Sequence, residues 1–109
     1  KVFLARTADD CLWSIWEQDR QYSEDFAHGY QDALDQFIRC TLRDNPLIGH
    51  VWHEARGIRR AVFRQRHNIY YTLTDEIIHV LFIFDGRMDV NQQIAASGLR
   101  LDDLKGPDA

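Results

Sequence analysis

The chain has 109 residues, of which 45% are hydrophobic and 28% charged, and a formal net charge of −4. That length and composition suit one domain with its own core. No apolar run approaches the roughly 20 residues that span a bilayer. The apolar stretch 2–5 is too short for the core of a signal peptide, so the expected setting is the cytoplasm. Cys11 and Cys40 are too few for a disulfide framework and lack partner histidines at zinc spacing, so they are expected as reduced structural thiols, with no metal and no cofactor.

Val2 to Ala5 predicts a first short strand. Thr7, with Asp10 three residues on, carries a capping pattern and predicts a helix start there. Ala8, Cys11, Leu12, Ile15 and Trp16 form its apolar stripe, Tyr22 continues it, and Asp19 interrupts it. Trp13 lies well off that stripe and should face away from the sheet. An exposed tryptophan there would mark an interface, unless the tail covers it through Leu99 or Leu101.

Ser23, followed by Glu24 and Asp25, predicts the cap of a second helix. Its stripe runs through Phe26, Tyr30, Ala33, Leu34, Phe37, Ile38, Thr41 and Leu42. Arg39 and Arg43 suit the negative end of the helix dipole, and Asn45-Pro46 stops the helix. The link between the helices is only a few residues, which predicts an antiparallel hairpin.

Residues 46–57 read as a loop or short extended segment. Ile58 to Arg66 reads as a strand, with Ile58, Arg60, Val62, Arg64 and Arg66 on one face and Arg59, Ala61, Phe63 and Gln65 on the other. Ile69 to Thr74 is a second strand, Thr74-Asp75-Glu76 a turn, and Ile77 to Phe84 a strand apolar on both faces and therefore interior. His79 within it should be half-buried and hydrogen-bonded. Asp89 starts a short helix to Ala96 with Gln92 at its third position, Gly98 ends it, and 99–109 is a polar tail. The expected fold is α+β in a single domain over 1–109. An N-terminal strand and an antiparallel helical hairpin pack on a small, mostly antiparallel sheet (β-α-α-β-β-β), followed by the short C-terminal helix.

Charge is unevenly placed. Arg56, Arg59, Arg60, Arg64 and Arg66 lie within eleven residues that contain no acid, so the rest of the chain carries −9. Such separation is usually aimed at a partner. Alternating arginines on an edge strand would also discourage sheet-to-sheet aggregation, and both readings stay open at Arg59 and Arg64. Arg87 could equally pair with Asp85 or Asp89.

Four short motifs in order resemble the ParE/RelE superfamily of toxin–antitoxin toxins, often labelled plasmid stabilisation proteins. They are Thr7-Ala8 with Leu12 and Ile15; Leu42, Asn45-Pro46 and Gly49; Gly57-Ile58-Arg59-Arg60 leading into Asn68-Ile69-Tyr70-Tyr71; and Phe84-Asp85-Gly86-Arg87-Met88-Asp89. The resemblance spans 2–96 and implies a toxin held inactive by a cognate, ParD-like antitoxin. ParE-type members poison DNA gyrase by binding it. RelE-type members cut mRNA in the ribosomal A site. The fold is common to both, so the choice rests on the site.

RelE-type cleavage draws on lysines, arginines and a tyrosine near the C-terminus. This chain has no tyrosine after Tyr71, has lysine only at Lys1 and Lys105, and carries Asn68 where a RelE-type arginine is expected. Asn91, Gln92 and Gln93 of the last helix exchange no proton near neutral pH. The negative net charge also suits a ribosome ligand poorly, and direct nucleic-acid binding is not expected. The preferred reading is thus a ParE-like, non-enzymatic gyrase inhibitor without catalytic residues. The alternative is a RelE-like endoribonuclease with His67 or His79 as a base. The candidate target- or antitoxin-binding residues are Arg59, Arg60, Arg64, Arg66, Arg87 and Trp13.

Overall fold

A computed structural model of the chain describes residues 1–96; the expected helix stop at Gly98 and the polar tail 99–109 lie outside the described residues. The elements run β1 (Val2–Leu4), α1 (Arg6–Arg20), α2 (Glu24–Gln36), β2 (His50–His53), β3 (Ile58–Phe63), β4 (His67–Thr74), β5 (Ile77–Asp85) and α3 (Val90–Ala96). The α2 helix continues through a wider, π-type turn at Phe37–Thr41 and a last turn at Leu42–Asp44. The strands form one sheet in the order β1-β5-β4-β3-β2. Strand β1 pairs parallel with β5, and all other pairs are antiparallel. The α+β architecture read from the sequence is the one observed.

Helix α1 starts one residue before Thr7. Its N-cap is Ala5, which has no side chain able to cap. The Thr7 hydroxyl instead donates to the carbonyl of Leu81. Register explains why: Tyr70 faces Phe82 but Tyr71 faces Val80, so Leu81 is an extra residue in β5. A bulge leaves a backbone group without its ladder partner, and the threonine supplies one. The expected continuation of the α1 stripe also fails at Tyr22, which is 88% exposed. Ser23 does cap α2, its Oγ accepting from the Phe26 N–H at 3.2 Å.

The sheet is covered on both faces. Against the helical hairpin lie Ala61, Phe63, Ile69, Tyr71, Ile78, Val80 and Ile83, meeting Ala8, Ile15, Tyr30, Leu34, Ile38 and Leu42. On the far face Ile58, Tyr70, Leu81, Phe82 and Phe84 pack with Ile94 of α3, flanked by Trp52 and Val90. Tyr70 and Phe82 have ring centroids 4.7 Å apart, and Trp52 meets Tyr70 edge-on at 5.0 Å. Burial on both faces suits β5 to its place between β1 and β4, but the central position that its composition led one to expect belongs to β4. Asp89 starts α3 as expected, its Oδ1 accepting from the Asn91 N–H at 2.8 Å.

One strand reading is sharpened and one corrected. Residues 46–57, read as a loop or short extended segment, include β2, an edge strand beside β3 that the expected strand order lacks. The arginine-bearing strand is therefore covered on both edges, and aggregation control on an edge does not explain its charge. Strand β3 also ends at Phe63, because Arg64 and Gln65 turn at φ of 53° and 55°. Arg64 and Arg66 belong to this turn, so the single cationic strand face expected over Ile58 to Arg66 does not exist. The second hairpin turns at Asp75 and Glu76, both at positive φ, where a turn was read.

The loop before β2 is held from beneath. The Tyr71 hydroxyl donates to the Pro46 carbonyl at 2.7 Å and accepts from the Gly49 N–H at 3.0 Å. A Cβ on Gly49 would sit 2.8 Å from both the Arg60 carbonyl oxygen and that hydroxyl, so only glycine fits.

Candidate functional site

At the end of the sheet where β4 begins and β5 ends, four chain segments converge: α1, the first residue of β4, the end of β5 with the turn after it, and α3. They enclose a cleft of about 520 Å³ whose wall includes Cys11, Ser14, Gln18, His67, Asp85 and Arg87. The Gly86 N–H donates to the Arg66 carbonyl at 2.8 Å, which ties the two arginine-bearing turns together.

Arg66 turns inward. It forms a two-pronged ion pair with Asp19 of α1, one contact at 2.9 Å, and the Asp19 side chain is only 6% exposed. Its guanidinium also lies 4.4 Å from the centre of the Tyr30 ring. Burial raises the pKa of Tyr30, so the phenol keeps its proton. The Tyr30 oxygen is 2.7 Å from His67 Nδ1. Burial, helped by the Arg66 charge, pushes His67 down to about 4, so its ring is neutral near pH 7. The neutral ring and the protonated phenol share one hydrogen bond, whose direction the ring tautomer sets. The row Asp19, Arg66, Tyr30, His67 thus bolts α1 and α2 onto the start of β4.

Arg87 turns outward. Its Nε and Nη2 lie 3.2 and 3.0 Å from the two carboxylate oxygens of Asp85, and its N–H donates to Asp85 Oδ1 at 2.9 Å. The hydrogen bonds from Arg87 hold the Asp85 carboxyl down at about 2. The Arg87 side chain remains 83% exposed. Arg64 is also exposed, its guanidinium 5.1 Å from the centre of the Phe63 ring. In the cleft wall, burial raises the Cys11 thiol, which keeps it protonated and unreactive.

The other candidates lie elsewhere. Arg59 packs toward the helices and donates to the Gly49 carbonyl at 2.6 Å. Arg60, opposite His50 in the ladder, is exposed on the other face of the sheet. Trp13 is 62% exposed on the outer side of α1, as its position off the stripe implied. Arg64, Arg66 and Arg87 are therefore brought to one end, while Arg59, Arg60 and Trp13 are not. His79, half-buried as expected, faces the Phe3 ring at 5.6 Å.

Sequence reasoning missed Asp19, the carboxylate on which the inner pair depends. The signal was an acid on an apolar stripe, which requires a buried cation. It also missed Ser14 and Gln18 as cleft residues, because polar positions beside a stripe look the same whether they face water or a cavity.

No family model and no curated protein matches the sequence. A solved structure matches the fold. The chain superposes on a chain of the toxin–antitoxin complex RelBE2 from Mycobacterium tuberculosis with a TM-score of 0.59 and 19% identity, covering 78% of this chain and 95% of that one. At that identity the likeness is one of backbone architecture and assigns no residue its role. Among the described residues no group of three or more potential ligands is placed to hold a metal, and no helix is long and apolar enough to cross a membrane.

Proposed function

We propose that this chain is the toxin of a type II toxin–antitoxin system, of the ParE-like kind, acting on DNA gyrase by binding. A cognate ParD-like antitoxin would neutralise it, in the cytoplasm and without a cofactor. The observation that carries the toxin reading is the fold it shares, over most of both chains, with a chain of a toxin–antitoxin complex. The binding mode is supported by the division of labour among the arginines at this end of the sheet. Arg64 and Arg87 present charge outward, and arginine is enriched where protein interfaces concentrate their energy. His67 has its Nδ1 occupied by Tyr30 and a pKa near 4, a poor fit to a base that must work near neutral pH.

A second reading, a RelE-like ribosome-dependent endoribonuclease, is favoured by one observation: His67, Asp85 and Arg87 line the same cleft. Brief expression in bacteria separates the two. DNA breaks and altered supercoiling with continuing protein synthesis support gyrase as the target. A rapid translation block with cut mRNA replaces it with the ribosome. No effect on either process removes the toxin reading.

A further inference from the structure

The outer side of the helical hairpin carries an aromatic stack with one end occupied and one end open. Trp16 is stacked against Trp13, with ring centroids 5.6 Å apart and an interplanar angle of 23°. The Arg20 guanidinium sits 5.3 Å from the centre of the Trp16 ring, and His28 meets that ring edge-on at 5.9 Å. Arg20 is also held by Glu17 at 3.0 Å. This half of the stack is already a guanidinium seat, built from an indole face and a carboxylate.

The Trp13 half repeats the ingredients with no guanidinium seated over its ring among the described residues, Arg6 lying two helical turns earlier on the same side of α1. Asp9 and Asp10 lie four and three residues before Trp13 on α1, Asp9 on its flank and Asp10 between Trp13 and the cleft that Asp10 also lines. Both are exposed, and neither has an ion-pair partner among the described residues. We propose that the Trp13 end of α1 is a docking site for a basic, arginine-bearing segment of a partner protein, whose guanidinium stacks on Trp13 and pairs with Asp9 or Asp10.

Charge selects this occupant. An anionic or phosphate-bearing partner would be repelled by the two carboxylates, which outnumber the neighbouring Arg6. A purely apolar segment would bury them without partners, which is costly. Arginine suits the site better than lysine, because its flat, weakly hydrated ion stacks on a ring while still pairing with a carboxylate. The inference names a partner chemistry for Trp13, a candidate binding residue that lies apart from the cleft of the reading proposed above. It rests on that reading only in taking the chain to act through protein contacts.

The test is a titration of the full chain, following the tryptophan indole N–H signals, with hexa-arginine, hexa-lysine, hexa-glutamate and a six-nucleotide RNA. Hexa-arginine should move the Trp13 signal saturably, hexa-lysine more weakly, and the two anionic probes not at all. Trp13→Ala should weaken hexa-arginine binding about fivefold, the scale of an exposed cation–π contact. The pair Asp9→Asn with Asp10→Asn should weaken it too, and Trp13→Phe should restore part of what alanine loses. Unchanged circular dichroism confirms that each variant is folded.

An unmoved Trp13 signal, or equal affinity of Trp13→Ala and the parent, overturns the proposal. So does a Trp13 shift that grows with chain concentration and accompanies dimer in sedimentation, since the occupant is then a second copy. Toxicity in cells is read separately. Peptide binding without toxicity removes the toxin reading alone, and toxicity without peptide binding removes this site alone.

Discussion

Arg66 and Arg87 leave the same end of the sheet, and each grips one carboxylate with both prongs of its guanidinium. Asp19, the partner of Arg66, is 6% exposed, whereas Arg87 is 83% exposed. The inner pair crosses 47 positions of sequence and joins a helix to a hairpin turn. The outer pair spans two positions and joins nothing but its own turn. One guanidinium is consumed by the fold, and the other is held ready at the rim of the cleft. The same chemistry holds the architecture together when it is dry and long-range, and adds little to folding when it is wet and local.

The largest way to break this contrast is Asp19→Ala. It leaves Arg66 half-buried without its carboxylate and should cost roughly 3–5 kcal/mol of folding stability, measured by urea unfolding. A loss under 1 kcal/mol would mean that the inner pair is as dispensable as a surface one.

The next is pH. The unfolded chain protonates His67 near 6.5, but the folded chain protonates it only near 4. The folded pKa is depressed, so the stability from the neutral ring is fully present above pH 6.5. It drains away as pH falls from 6.5 to 4, by about 3 kcal/mol in all. Urea unfolding at pH 7 and pH 4 should show that loss in the parent chain and little of it in His67→Gln.

Tyr71→Phe asks whether the opposite end of the sheet is also held from inside. Removing the hydroxyl frees the Pro46 carbonyl and the Gly49 N–H, and should cost about 1–2 kcal/mol. Faster amide exchange should be confined to residues 46–50.

The smallest effect on folding belongs to Arg87→Ala, which should leave the midpoint of thermal unfolding where it is. It sharpens the comparison by its effect on function: growth inhibition in bacteria should fall tenfold or more. Undiminished toxicity from the folded variant would move Arg87 from recognition to a purely local turn contact.

Local physical chemistry was legible where short-range rules decide the outcome. The serine cap of α2, the helical hairpin, the two-faced apolar β5, the Asp75-Glu76 turn and the Asp89 start of α3 were all readable from neighbours a few positions apart. The errors arose where distant atoms intervene. Thr7 reads as a cap until Leu81, 74 positions away, offers an unpaired carbonyl. The stretch 46–57, loop or short extended segment by its own residues, becomes an edge strand because β3 offers a free edge and Tyr71 pins the entry loop.

The sequence by itself determined the α+β architecture, the uneven charge and the outward placement of Trp13, because periodicity and residue type are properties of short windows. Tertiary structure alone decided which arginines face inward. A guanidinium looks the same at Arg66 and Arg87 until the fold delivers a buried carboxylate to one and open solvent to the other.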